Sequence, residues 1–213
     1  MTMPSDILLR ELSEDGILRL TLNDVARRNA LSEAMLTELA DIAGAAHGEA
    51  RALILTGAGK VFSAGADLEA ARAGLATSPV WERLSGALAA LPILTVAALN
   101  GTVAGGAMGM VLACDLRIAA EGAGAFYPVM RLGFRPQPSD PARLSALIGP
   151  ARAKMILLAG AKIRTEEALA WGLFDRAVPR DDLMEHARGL VADSLAADPG
   201  HAAALKAMCR TQA

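Results

Sequence analysis

Residues 100–107 read Asn-Gly-Thr-Val-Ala-Gly-Gly-Ala and come directly after Ile93–Leu99, an apolar run that predicts a buried strand. A predicted helix starts inside this stretch and covers Gly105–Ala113, and Leu116–Ala119 predicts the next strand. A strand, a helix and a further strand in succession are typical of parallel βαβ units. The stretch therefore predicts an α/β fold with a parallel sheet.

A second loop of small residues, Phe62-Ser63-Ala64-Gly65-Ala66-Asp67-Leu68, follows the predicted strand Ala52–Leu55. Ligands of α/β folds bind beyond the carboxyl ends of strands, and helix starts present unpaired N–H groups. Two such N–H groups aimed at one point form an oxyanion hole, which stabilises charge developing on a carbonyl oxygen. Small residues would let a ligand reach this main chain, although the same glycines are also compatible with tight packing alone.

The remaining sequence extends this α/β pattern at both ends. The predicted strands are Ile7–Leu12, Gly16–Leu22 and Asp175–Val178, and the predicted helices run from Ser32 toward His47 and over Ala151–Leu158, Thr165–Trp171 and Asp182–Ala197. From Pro141 onward the pattern is helical, interrupted by one strand. We therefore predict an α/β core over residues 1–140 and a helical part over residues 141–213.

Composition excludes several classes of protein. The 213 residues are 53% hydrophobic and carry a net charge of −2, which argues against a disordered chain and against a nucleic-acid partner. Met1–Arg10 lacks the apolar core of a secretory signal, and the apolar run Val103–Cys114 is shorter than the roughly 20 residues that span a bilayer. Cys114 and Cys209 lie far apart and predict neither a disulfide nor a zinc site. We expect a cytoplasmic protein without membrane contact, and the mean hydropathy of +0.34 indicates subunit contacts.

Several motifs together resemble the crotonase (enoyl-CoA hydratase/isomerase) family. They are, in chain order, Arg28-Asn29-Ala30-Leu31, Leu55–Gly59, Phe62–Leu68, Asn100-Gly101, Gly105-Gly106, Ala113-Cys114-Asp115, Leu132-Gly133 and Trp171-Gly172-Leu173. The resemblance covers nearly the whole chain. It implies a crotonase-like ββα spiral core with a helical C-terminal part, assembled into homotrimers or hexamers.

The resemblance also implies a ligand, an acyl-CoA thioester whose carbonyl oxygen accepts hydrogen bonds from the N–H groups of Ala66 and Gly106. The backbone of Ala64 would meet the adenine, and Arg28 and Ala30 would lie near the CoA phosphates or the adenine. The implied binding residues are Arg28, Ala30, Ala64, Ala66, Asp67, Leu68 and Gly106. No metal and no separate cofactor are implied, because coenzyme A is part of the substrate.

The chain departs from the family at the two glutamates that hydratases use as acid and base. The matching positions hold Gly109 and Val129, and neither side chain can move a proton. We therefore expect little true hydration, whereas decarboxylation or thioester hydrolysis would need fewer acidic side chains. The C-terminal part is also shortened relative to the family, and a non-catalytic CoA-ester-binding or assembly protein of the same fold is the alternative.

Four other side chains near the loops are candidates for acid–base chemistry: Asp67, Glu69, Tyr127 and Asp140. Asp140 and Tyr127 are predicted as assisting groups, but Asp140 could instead cap the helix that Pro141 begins, and Tyr127 could instead pack in the core. Asp67 belongs to the family's ordinary loop, which favours a structural role.

Overall fold

The structure, a computed structural model, describes residues 7–209, so most of the Met1–Arg10 segment considered above lies outside the described residues. The strands are β1 Leu8–Leu12, β2 Ile17–Leu22, β3 Ala52–Gly57, β4 Leu94–Leu99, β5 Val103–Ala104, β6 Leu116–Ala120, β7 Gly124–Phe126, β8 Lys162–Arg164 and β9 Arg176–Val178. The α-helices are α1 Glu33–Ala45, α2 Leu68–Arg72, α3 Val80–Ala90, α4 Ala107–Ala113, α5 Val129–Leu132, α6 Asp140–Ile148, α7 Pro150–Leu157, α8 Thr165–Trp171, α9 Leu183–Ala196 and α10 Pro199–Met208.

The main sheet has six strands in the order β1-β2-β3-β4-β6-β9. β1 and β2 form an antiparallel hairpin, and every later pair in this sheet is parallel. The parallel sheet predicted from the strand–helix alternation is therefore confirmed. All the parallel strands end at the same edge, and the chain leaves β3 and β4 at that edge through the two small-residue loops.

Both faces of the main sheet are buried, because alternate residues of each strand enter different cores. Leu53 and Leu55 of β3 pack with α1, α3 and α4 on one face, whereas Ile54 packs with α9 on the other. The alternation of buried leucines predicted for Gly16–Leu22 is confirmed in β2. The side-chain oxygen of Ser32 accepts a hydrogen bond from the Met35 N–H, which confirms the predicted cap of α1.

A second, three-stranded sheet has the order β5-β7-β8 and was not predicted. Its strands are two or three residues long, too short to show a period of two in the sequence. Two strands lie after Pro141: β8 pairs antiparallel with β7, and β9 pairs parallel with β6. The expectation of a single strand in this region is therefore wrong. The division into residues 1–140 and 141–213 stays a prediction.

Within residues 7–209, no helix combines the length and the apolar character needed to cross a membrane.

Candidate functional site

The two small-residue loops lie side by side. Ser63 and Val103 form a parallel bridge, in which the Ala104 N–H donates to the Ser63 carbonyl oxygen at 3.0 Å. Ala66 and Gly106 each lie three residues beyond their own member of this bridge. The two loops therefore run parallel and in register, and the two predicted donors lie at equivalent positions along them.

Two glycines allow this close approach. Gly65 has a φ of +89°, and a Cβ added to it would lie 2.7 Å from the Ala104 carbonyl oxygen and 3.3 Å from the Gly105 Cα. Gly105 also has a positive φ, of +55°. Side chains at these positions would be strained and would push the loops apart. The glycines therefore allow the loops to pack tightly, and they also leave the main chain accessible to a ligand. These two interpretations of the glycines do not exclude each other.

The N–H groups of Ala66 and Gly106 donate to no acceptor within residues 7–209, and both residues line one pocket of about 70 Å³. Gly106 precedes the first turn of α4, so its N–H is one that the helix leaves unpaired. Two free donors that border a common apolar space can receive one oxygen atom that carries negative charge.

The pocket walls are largely apolar and include Ala71, Ala76, Trp81, Pro128, Val129, Leu132 and Phe134. Trp81 packs against the second donor, since a Cβ at Gly106 would lie 2.9 Å from the indole ring. Its Nε1 donates to the Leu75 carbonyl oxygen at 2.7 Å, which fixes the ring. Arg135 is the charged side chain of this lining and is exposed. No local sequence pattern marks Trp81 or Arg135 as pocket residues, because the fold alone brings these separate segments together.

The segment before α1 anchors the first loop. The Ala64 N–H donates to the Arg28 carbonyl oxygen at 2.9 Å, and the Ser63 Oγ donates to the Asn29 carbonyl oxygen at 2.7 Å. Asn29 is fully buried, and its Nδ2 donates to the carbonyl oxygens of Val61 and Phe62. The Arg28–Leu31 motif therefore holds the loop in shape through its main chain and one amide.

The structure separates the predicted CoA-binding residues into groups. Ala64 and Leu68 line the pocket with Ala66 and Gly106, whereas Ala30 and Asp67 line a different cavity of about 590 Å³. Arg28 is exposed and lines neither cavity. The Asp67 carboxylate accepts hydrogen bonds from the N–H groups of Glu69 and Ala70, so it caps α2 as a structural role requires.

Asp140 and Tyr127 are brought into direct contact. The Tyr127 hydroxyl donates to Asp140 Oδ2 at 2.9 Å, and Tyr127 lines the pocket. Asp140 is only 1% exposed and is the first residue of α6, preceded by Ser139 at the cap position. Within the described chain the Asp140 side chain makes no capping hydrogen bond, so the capping alternative is wrong: the carboxylate turns inward to the tyrosine instead.

Burial shifts the pKa of both groups. Desolvation raises the pKa of Asp140 to about 6, partly offset by the Tyr127 hydrogen bond and the positive charge of Arg143, while the Glu82 carboxylate adds to the rise. Burial and the adjacent Asp140 raise the pKa of Tyr127 well above its usual value, so its hydroxyl stays protonated. A carboxyl group with a pKa near neutrality is suited to accept and return a proton.

The two positions that lack glutamates differ in their surroundings. Val129 lines the pocket, whereas Gly109 lies in α4 outside the lining and faces Asp140. A Cβ at Gly109 would lie 2.9 Å from Asp140 Oδ1. The space beside Gly109 thus holds a carboxylate that comes from a different helix.

Comparisons with known proteins show the family to which the chain is similar. The enoyl-CoA hydratase/isomerase family model matches residues 13–213. A Rhodobacter capsulatus protein named "Probable enoyl-CoA hydratase" is 38% identical over 187 residues, which are 85% of this chain and 72% of that protein.

Solved structures show the same architecture. An enoyl-CoA hydratase from Mycobacterium avium subsp. paratuberculosis superposes with a TM-score of 0.88 at 29% identity, covering 96% of this chain and 85% of that one. A monofunctional enoyl-CoA isomerase from M. smegmatis gives a TM-score of 0.82 at 29% identity, covering 95% and 91%. The fold is thus the crotonase fold. The chain belongs to the enoyl-CoA hydratase/isomerase family.

Proposed function

We propose that the protein binds an acyl-CoA thioester and stabilises its enolate with the N–H groups of Ala66 and Gly106. The observation that carries this proposal is the pair of unpaired donors, among the described residues, at one apolar pocket. A thioester enolate places its negative charge on one oxygen, and two preorganised N–H groups stabilise that charge. The apolar walls suit an acyl chain, and relatives named for enoyl-CoA substrates support this ligand class.

True hydration of an enoyl thioester is not part of the proposal. Addition of water needs one group that directs the water and one that delivers a proton, and Gly109 and Val129 provide neither. A non-catalytic CoA-ester-binding protein of the same fold is the second candidate, and these same two residues favour it.

The CoA-binding roles of Arg28, Ala30, Ala64, Asp67 and Leu68 stay predictions, as does a cytoplasmic location. A homotrimer or hexamer is also proposed. Exposed apolar side chains support it: Met130, Met155, Leu158, Leu205 and Met208 are 44–79% exposed. Sedimentation of the purified protein would measure the mass of the assembly directly.

Two measurements on purified protein test the proposal. Calorimetry with butyryl-CoA should show binding that free butyrate does not show. Crotonyl-CoA, followed by its enoyl-thioester absorbance, should disappear no faster than in buffer. No binding of any acyl-CoA would overturn the proposal, and rapid conversion to 3-hydroxybutyryl-CoA would mean that other side chains replace the two glutamates.

A further inference from the structure

The Asp140 carboxylate occupies the space that a side chain at position 109 would enter. Gly109 of α4 has no Cβ, and the ideal position of that atom lies 2.9 Å from Asp140 Oδ1 and 3.3 Å from Oδ2. Asp140 belongs to α6, so two helices meet at this point and the acidic group comes from the second. Any larger residue at position 109 would compete with the carboxylate for this space.

The environment of this carboxylate is unusual for a structural aspartate. Its Oδ2 accepts the Tyr127 hydroxyl, whereas its buried Oδ1 has no hydrogen-bond partner within residues 7–209. A buried carboxylate oxygen without a donor costs free energy and persists in a fold only where something offsets it. The neighbouring Arg143 does not fill this gap, because its guanidinium donates to the Ser139 Oγ at 2.8 Å instead.

We propose that Tyr127 and Asp140 form a proton relay that removes a proton from the α-carbon of the bound thioester and returns it. In the forward step the C–H bond breaks, its proton goes to the Tyr127 oxygen, and the hydroxyl proton of Tyr127 moves to Asp140 Oδ2. The electron pair of the C–H bond becomes the enolate, whose oxygen faces the Ala66 and Gly106 N–H groups. The reverse transfer, to the same carbon or to the γ-carbon of an unsaturated chain, restores both side chains.

This inference rests on the proposed function and assigns it a reaction class, the movement of a proton along an acyl chain. Tyr127 would be the catalytic residue, because it lines the pocket, and Asp140 would be a positioning residue that stores the proton. One relay is sufficient for isomerisation, since a single pair of side chains takes up a proton from the α-carbon and delivers a proton to the γ-carbon. Hydration would require a second group to activate water.

The test uses trans-3-hexenoyl-CoA in deuterated water, because its thioester and its double bond both acidify the α-protons. Deuterium incorporation measures proton removal, and the absorbance of the conjugated 2-enoyl product measures transfer to the γ-carbon. We expect Tyr127→Phe and Asp140→Asn each to lower both rates by roughly 100-fold or more, with binding changed by less than about threefold. The double variant should be no slower than the single variants, because the two groups act as a unit.

The pH profile separates a relay from a merely structural pair. The relay needs Asp140 deprotonated before the forward step, so the wild-type rate should rise with pH to a plateau above about pH 6. Arg143, Glu82 and Tyr127 are the charged or titratable groups around Asp140, and α4 faces it with Gly109. The residual rate of Asp140→Asn should lack this rise.

Asp115→Asn is the matched control. Asp115 is a partly buried carboxylate whose Oδ2 lies 2.6 Å from Lys206 Nζ, and it lines a separate cavity. Its replacement removes an ion pair and should leave the rate and the pH profile unchanged. If Asp140→Asn does not fold, the rates of Tyr127→Phe, which deletes a single oxygen atom, test the relay.

The outcomes are distinguishable. If either relay variant keeps the wild-type rate, or if the rise with pH remains in Asp140→Asn, the relay is wrong. Binding of hexenoyl-CoA with neither deuterium incorporation nor formation of the 2-enoyl product would also overturn the relay, while the thioester site would stand as a binding site. An absence of binding would instead overturn the proposed function itself.

Discussion

The two small-residue loops and the Tyr127–Asp140 pair contribute to the same site in different ways. The loops present main-chain N–H groups, whose positions follow from sheet register and from Gly65 and Gly105. The pair presents side chains, and its carboxylate depends on contact between α4 and α6. A change of one residue can therefore move or delete the acidic group, while the donors stay in place as long as the loops remain closely packed.

The largest effect is expected when the acidic group is moved from α6 to α4. Gly109→Glu with Val129→Glu supplies two glutamates, but the new side chain at position 109 would meet Asp140, so the exchange also needs Asp140→Ala. We expect the triple variant to hydrate crotonyl-CoA roughly 100- to 10,000-fold faster than wild type. The double variant that keeps Asp140 should gain much less. A folded triple variant that binds the thioester and does not hydrate it would mean that positions 109 and 129 are wrongly assigned.

The donor loops can be tested by removing one N–H. Gly106 has a φ of −58°, which proline can adopt, and Gly106→Ala provides the control because it brings the same Cβ against Trp81 but keeps the N–H. Proton exchange into hexenoyl-CoA should be roughly 100- to 1000-fold slower in the proline variant than in the alanine variant. Equal rates in the two would argue against an oxyanion role for Gly106.

The side-chain pair should affect stability in a pH-dependent way. Asp140 has a pKa of about 6 in the folded chain and about 3.9 in an unfolded chain, so the folded state binds the proton more tightly. The contribution of Asp140 to stability is therefore highest below about pH 4 and falls by up to about 3 kcal/mol as the pH rises through about 6.

Asp140→Asn lacks this decline, so urea unfolding near pH 8 should show it to be more stable than wild type, with the gain disappearing toward about pH 4. If the free energies of unfolding of the two proteins change with pH in the same way, the charge of Asp140 does not destabilise the folded state.

The smallest effect is expected for Asp67, whose carboxylate is not part of the Tyr127–Asp140 pair. Asp67→Ala removes the cap of α2 and should lower the free energy of unfolding by about 1 kcal/mol, whereas Asp67→Ser keeps a capping oxygen and should lose less. At saturating hexenoyl-CoA, neither change should slow proton exchange appreciably. A large loss of exchange in both variants would place Asp67 in the chemistry and contradict its structural role.

Local signals in the sequence predict the two loops, whereas the resemblance to the family assigns Ala66 and Gly106 within them as donors. An apolar strand followed by small residues and a helix start identifies both loops that hold Ala66 and Gly106, and the period-two pattern of Leu18, Leu20 and Leu22 identifies β2. These features are set by neighbouring residues, so the pattern along the chain contains them.

The side-chain part depends on contacts between distant segments, which the sequence pattern does not record. Ser139-Asp140-Pro141 has the composition of a helix cap, and nothing in it shows that the carboxylate turns toward Tyr127 rather than toward the helix N–H groups. The complementarity between Gly109 and Asp140 is visible only when α4 and α6 are placed together. The short strands β5, β7 and β8 have no signal in the sequence pattern, because pairing with neighbouring strands, rather than length, defines them.

The position of Trp81 has a consequence for optical spectroscopy. Its indole ring lies against Gly106 and is 4% exposed, and the sequence contains only one other tryptophan, Trp171. Trp171 stacks with Arg152, 5.5 Å from the ring centroid, and lies outside the pocket lining. With Trp171 replaced by phenylalanine, the fluorescence of a single tryptophan would report the filling of the thioester site in real time, without a label and without turnover.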